Sequence, residues 1–266
     1  MAENLENAAH DACRGAATVE GWTPDDELRF LFLAAARPTA RGEVLEIGSY
    51  KGRSTVALAR GALWAGQRTV VACDPFTIRS PTDPEHRVST YEDFLATLQQ
   101  HALSDNVEVH RERSEHLAAR WDRPIRFLWV DGNHDYEAVR ADIEGFRAHL
   151  APGALLALHD VGHHDYNGPL LCFMDDVLLA DEFGMCGIHH SIGWTQFIGR
   201  GGRAKYRRQK ATLYKWLAAR RLRQTLRVRL RGIAKWRYKI YRRSPVFEKW
   251  ILSDAPRAEC AAKEGS

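Results

Sequence analysis

VLEIGSYKGRST, residues Val44 to Thr55, reads as an apolar strand that runs into a glycine-bearing loop and then into a helix. Gly48 lets the backbone approach a ligand closely, and Gly52 permits tight entry into the helix. The helix start carries free N–H groups and a partial positive charge, which suits a carboxylate or a phosphate. Outward from this stretch, short β-rich runs alternate with helical patterns. EVLEIG is followed by a helix from Gly52 to about Trp64, RTVVACD by the polar loop IRSPTDPEH and a helix from Thr90 to His101, and NVEVH by a short helix from Ser114. IRFLWVD precedes a helix from about Tyr136 to Leu150, GALLALHD precedes the helical run PLLCFMDDVLLA, and CGIHH and GWTQFIG are the last strands. This alternation predicts βαβ units, a parallel sheet and helices on both faces.

Before the loop, Thr23-Pro24-Asp25-Asp26 predicts a helix start, with threonine as N-cap, proline at N1 and a helix running to about Arg37. Residues 1–23 are poorly patterned and lack the apolar region of a secretory signal. The expected division is an N-terminal segment at 1–23, a domain at 24–200 and a basic helical C-terminal extension at 201–266.

The glycine spacing is not GxGxxG, and a carboxylate at Glu46 would repel a pyrophosphate. A nicotinamide-dependent oxidoreductase is therefore the weaker enzyme reading. An acidic loop suits a cationic ligand such as S-adenosylmethionine, which carries an ammonium, a sulfonium and one carboxylate. Glu46, Gly48, Ser49, Tyr50, Gly52 and Ser54 are the expected contacts in the loop. Asp74 ends the second strand, 26 positions after Gly48, where an acid accepts hydrogen bonds from ribose hydroxyls. Ser114 is either an adenine contact or the N-cap of its own helix.

VLEIGSYKGRSTVALA, FLWVDGNHDYEAVRADIEGF and APGALLALHDV carry a family resemblance. Over residues 25–199, about two-thirds of the chain, the sequence resembles a class I S-adenosylmethionine-dependent methyltransferase. It is most similar to the bacterial branch of macrolide-sugar O-methyltransferases and relatives encoded beside glycosyltransferases. The resemblance implies a Rossmann-like three-layer α/β sandwich with seven strands, six parallel and the last antiparallel. It also implies a sugar, glycan or natural-product hydroxyl as acceptor. Metal-dependent members of the branch place an acid at the position of Asp131, a base at that of His134 and acidic ligands at the end of strand five. Here that last point reads His159-Asp160.

Asp131 and Asp160 end neighbouring strands and are expected to face one crevice, with Asp131 also touching the cofactor. Two carboxylates there call for a cation, and Asp131, His159 and Asp160 are the expected ligands of a divalent ion such as Mg²⁺. Such an ion would acidify the acceptor hydroxyl, while His134 takes its proton as general base or simply caps the next helix. His163, His164 and Asp165 either line the acceptor pocket or form a solvated loop, and His189-His190 reads as structural. No HExxH, nucleophile elbow or Walker loop supports a hydrolase.

The net charge of +4 hides an asymmetry: residues 200–243 hold 18 Lys and Arg and no acid, and the remainder carries a balance of −14. Leu222, Leu226, Leu230 and Ile233 form an apolar stripe among these charges, beside aromatics such as Tyr206, Trp216 and Trp236. The segment at 203–243 has three readings: a helix on an anionic membrane surface, docking onto the acidic body or a second subunit as a homo-oligomer, and nucleic-acid binding. The first fits a lipid-linked acceptor, and a membrane or RNA-binding module without activity is the non-enzyme alternative. Five unpaired-looking cysteines (Cys13, Cys73, Cys172, Cys186, Cys260) point to a reducing cytosol, with the membrane reading adding its inner face.

Overall fold

The computed structural model describes residues 2–67, 69–77, 89–163, 166–225 and 245–257, together with Gly232 and Trp236. Seven strands form one sheet: β1 (Glu43–Ile47), β2 (Val70–Cys73), β3 (Val107–His110), β4 (Ile125–Val130), β5 (Leu150–Leu158), β6 (Phe183–His189) and β7 (Ile192–Phe197). Their order is β3-β2-β1-β4-β5-β7-β6. β1 pairs in parallel with β2 and β4, and β7 runs antiparallel to β5 and β6, so β7 is the reversed strand that the resemblance implies.

The strands are apolar on both faces, as a doubly covered parallel sheet requires. Val44, Val70, Ala72, Phe127, Trp129, Leu155 and Ala157 face one helical layer; Leu45, Ile47, Val71, Leu128, Val130, Leu156 and Leu158 face the other. The first layer holds α1 (Ala2–Ala16), α2 (Asp25–Ala36), α3 (Arg53–Trp64) and α4 (Tyr91–Gln100). The second holds α5 (Ser114–Ala118), α6 (Tyr136–Arg147) and α7 (Gly168–Cys172), which continues as a π-helical turn at Phe173–Val177.

Two expectations near the N-terminus are corrected. The poorly patterned segment contains α1, whose Leu5, Ala9, Ala12 and Ala16 are buried in the core. Their spacing is helical, but alanine buries too little surface to stand out as a stripe. Thr23 does not cap α2: Pro24 takes the N-cap position without a side-chain bond, and the Thr23 carbonyl accepts a hydrogen bond from Arg53 Nε.

The C-terminal segment is tied to the body at both described ends. After α8 (Gly202–Lys205), α9 (Arg207–Thr225) buries Leu213 and Leu217 against the second core layer, and Lys210 Nζ donates to the Ala180 carbonyl. Then α10 (Val246–Leu252) buries Phe247 and Ile251, with Phe247 centred 3.9 Å from the Phe30 ring. Of the expected apolar stripe, Leu222 is exposed, and Leu226, Leu230 and Ile233 lie outside the described residues. Among the described residues no helix is long and apolar enough to cross a membrane.

Candidate active site

Strand register assembles the site. Ile47 aligns with both Cys73 and Val130, and Val130 aligns with Leu158. The next residues along these strands, Gly48, Asp74, Asp131 and His159, therefore emerge along one carboxyl edge. The strand order reverses between β1 and β4, which is where an open parallel sheet leaves a crevice for a ligand.

The glycine loop stands on two carboxylates. Glu46 is fully buried beneath it and accepts hydrogen bonds from the hydroxyls of Ser49, Ser54 and Thr55. Burial pushes its carboxyl up to about 7, although the three hydroxyls pull the other way. Asp74 holds the loop from the side: one of its oxygens accepts the backbone N–H groups of Ser49 (2.8 Å) and Tyr50 (2.9 Å), and the other accepts that of Phe76. Tyr50 takes a positive φ of 49°, and its hydroxyl donates to Glu20 at 2.9 Å. Gly48 has φ 86°, and a Cβ there would lie 2.3 Å from the Asp131 carbonyl oxygen. The close approach that requires this glycine is thus to the end of β4. Gly52 has φ 92° and leads into α3 under Phe94 and Thr97.

Beyond the loop, His134 Nε2 lies 2.9 Å from Asp160 Oδ2, and Asp160 itself takes a positive φ of 56°. Burial would raise the Asp160 carboxyl, but His134, His159 and His163 outweigh it and hold the group below the usual range. The His134 ring is stacked on Tyr166 with centroids 4.0 Å apart, and His163 stacks on Tyr166 at 4.9 Å. His164 and Asp165 lie outside the described residues, as does the loop at 78–88.

His159 is placed otherwise than expected for a metal ligand. Nδ1 lies 2.9 Å from Asp131 Oδ1, and Nε2 lies 2.9 Å from Glu27 Oε2, a residue of α2. Glu27 is buried and also accepts the backbone N–H (2.7 Å) and the hydroxyl (2.6 Å) of Ser191. Burial disfavours a charged His159, yet Asp131 and Glu27 outweigh it and raise the imidazole well above its ordinary value. Burial likewise raises Asp131, against the pull of His159.

The donors that converge to within 4.8 Å are Asp131, His134 and Asp160 rather than Asp131, His159 and Asp160. Two of the three are carboxylate oxygens, the hard donors a magnesium ion takes, and the third is an imidazole nitrogen, which suits a softer divalent ion better. His159 Nδ1 also already faces both carboxylates, at 2.9 Å from Asp131 and 3.5 Å from Asp160. Ser114 is corrected as an N-cap: Arg113 takes that position, and the Ser114 hydroxyl donates to Asp142, a buried acid pushed up to about 6.

Glu27 and Tyr166 were not legible as site residues. Glu27 reads as one of three acids in the first turn of α2, a pattern that the helix dipole alone accounts for.

Residues 45–161 match the family model described as a methyltransferase domain. Solved structures share the fold at low identity. SAH-bound PaMTH1, a Podospora anserina methyltransferase, is 15% identical with a TM-score of 0.54, covering 73% of this chain and 88% of its own. The O-methyltransferase NovP is 13% identical at TM-score 0.54, over 67% and 83%. Cofactor-bound Rv0187 from MTB is 19% identical at 0.50, over 74% and 91%.

Gly48 supplies a direct test of the loop. An L-residue at positive φ costs ~1–2 kcal/mol, and Gly48→Ala adds a collision with the Asp131 backbone. At Gly66, φ is 78° and a Cβ meets nothing within 4 Å, so Gly66→Ala carries the conformational cost alone. Chemical denaturation is expected to show a clearly larger loss for Gly48→Ala; equal losses would contradict the close approach.

Proposed function

We propose that this chain, whose residues 45–161 match the family model described as a methyltransferase domain, transfers a methyl group from S-adenosylmethionine to an oxygen of a sugar or related hydroxyl acceptor. The observation that carries the reading is the 2.9 Å pair of His134 and Asp160, set at the strand edge beside the glycine loop. That PaMTH1 is an SAH-bound methyltransferase and NovP an O-methyltransferase is consistent with it.

The loop at Gly48 to Gly52 and Asp74 hold the cofactor, with Asp74 accepting from the ribose hydroxyls. Glu46, Asp74 and Asp131 provide negative potential for its ammonium and sulfonium. His134 Nε2 faces Asp160, so Nδ1 takes the acceptor's hydroxyl proton, as in other carboxylate-oriented histidine bases. The acceptor oxygen then donates an electron pair to the sulfonium methyl carbon, and the carbon–sulfur pair leaves on sulfur. The products are the methyl ether, S-adenosylhomocysteine and an imidazolium stabilised by Asp160. Positioning the two reactants in line supplies much of the rate. No step is routed through a divalent ion. In a His134→Ala variant kcat is expected to fall ~10²–10⁴-fold, while S-adenosylmethionine affinity measured by calorimetry holds. An unchanged kcat would remove His134 as the base.

The outward side of α8 and α9 adds a location. Arg203, Arg207, Arg208 and Lys215 are exposed there, while Leu213 and Leu217 point into the body. Exposed Leu222 and Trp236 add apolar surface to a segment without acids. This face suits an anionic membrane surface and, with it, a lipid-linked acceptor. Each basic residue near such a surface contributes ~1 kcal/mol, so reversing all four charges to Glu is expected to lower binding to phosphatidylserine-rich vesicles at least ~10-fold. Equal co-sedimentation of both forms would count against the membrane.

A further inference from the structure

We propose that the groove between α1 and the C-terminal half of α3 is a second ligand site, built for a free α-amino acid with an aromatic side chain. The groove measures about 480 Å³, within the range of pockets that hold small molecules. It lies at the end of α3 away from the glycine loop, and none of the residues assigned to methyl transfer lines it. Small residues on α1 make the space: Ala8, Ala12 and Gly15 recur at helical spacing on the side that lines the groove. Buried Phe32 and Val56 form an apolar floor. Trp64 stands at one end as an aromatic wall with 44% of its surface exposed.

Three polar groups meet in this groove. Arg53, at the start of α3, donates to the Val19 carbonyl (3.0 Å) just past the end of α1, so the two helices run in opposite directions. One turn back from Gly15, Asp11 therefore comes near the level of Arg60, and Ala8 near that of Trp64. Arg60 is exposed and donates to the His101 carbonyl at 2.6 Å, which sets its guanidinium beside the end of α4. The His101 ring lies against Gly15, where a Cβ would be 3.6 Å away, and its Nε2 is buried with no hydrogen-bond partner among the described residues. Burial and Arg60 hold this imidazole below its ordinary value, so the ring is neutral at pH 7 and carries one proton. A buried nitrogen without a partner is unfavourable and is satisfied by a ligand group. A carboxylate accepts from Arg60 and from His101 Nε2–H, and an ammonium donates to Asp11. An α-amino acid carries both charges on one carbon, and its aromatic ring then lies along the apolar floor against Trp64. A plain anion meets Asp11 and a plain amine meets Arg60, so the two charges together select against either.

The test is a titration of the unmodified protein with L-phenylalanine and with L-tryptophan, with phenylacetate and phenethylamine as single-charge controls. Calorimetry reads the affinity, and the NMR signals of the Trp64 indole N–H and the His101 ring report the place. The expected result is a dissociation constant of ~1 mM or below for at least one amino acid and binding of each control at least ~10-fold weaker. Both NMR reporters should shift. Arg60→Gln, at an exposed position, should weaken binding ~10-fold or more, and Ala8→Phe, which fills the groove, should abolish it. Absence of binding up to about 10 mM of either amino acid, shifts that leave Trp64 and His101 untouched, or phenylacetate bound as tightly as phenylalanine would overturn the proposal. The NMR readout uses the unmodified protein and decides even if a variant fails to fold. None of these outcomes depends on whether the chain transfers methyl groups.

Discussion

The glycine loop between β1 and α3 rests on carboxylates that have been taken out of water. Glu46 lies beneath it and gathers three side-chain hydroxyls; Asp74 lies beside it and gathers three backbone N–H groups. A buried carboxylate without partners is costly, so the loop must close over these oxygens in one shape. That shape brings Gly48 against the backbone of Asp131 and so fixes the distance between the glycine loop and the end of β4. Glu46 does more than colour the loop with charge, because its hydrogen bonds set the loop's geometry.

The same edge carries a second buried arrangement. Around His159 each ring nitrogen lies 2.9 Å from a carboxylate oxygen, one of Asp131 and one of Glu27. These buried polar groups are mutually paired, which is the condition under which they are tolerated away from water. One further carboxylate, Asp160, lies 2.9 Å from His134 Nε2, and the backbone at Asp160 takes a positive φ of 56° there. The arrangement joins α2, β4 and β5, so the first helical layer takes part in the chemistry of the sheet's edge.

Much of this was readable from residue order. The parallel strands are apolar on both faces and stand out as short continuous runs, and βαβ connections send the residues after them to a common edge. Hence Gly48, Asp74, Asp131 and Asp160 could be placed together in advance. What escaped reading depends on tertiary partners. Glu27 meets His159 across 132 positions, and nothing in the first turn of α2 distinguishes it from its acidic neighbours. α1 packs through alanines, whose hydrophobic signal is faint. In α9 the basic composition drew attention away from Leu213 and Leu217, which dock the helix.

The central claim is that an acid-lined glycine loop selects a cationic cofactor, and calorimetry of S-adenosylmethionine and of NAD between about pH 5.5 and about pH 7.5 tests it most directly. Glu46 is held at about 7 without ligand. It is therefore largely neutral at the acidic end and ionises as pH rises, and a cationic ligand favours the ionised form. The account predicts that S-adenosylmethionine binds, tightens up to ~10-fold across this range and releases protons on binding at the acidic end, while NAD gives no comparable heat. Tight NAD binding without S-adenosylmethionine binding, or affinity for S-adenosylmethionine that falls as pH rises, would contradict it.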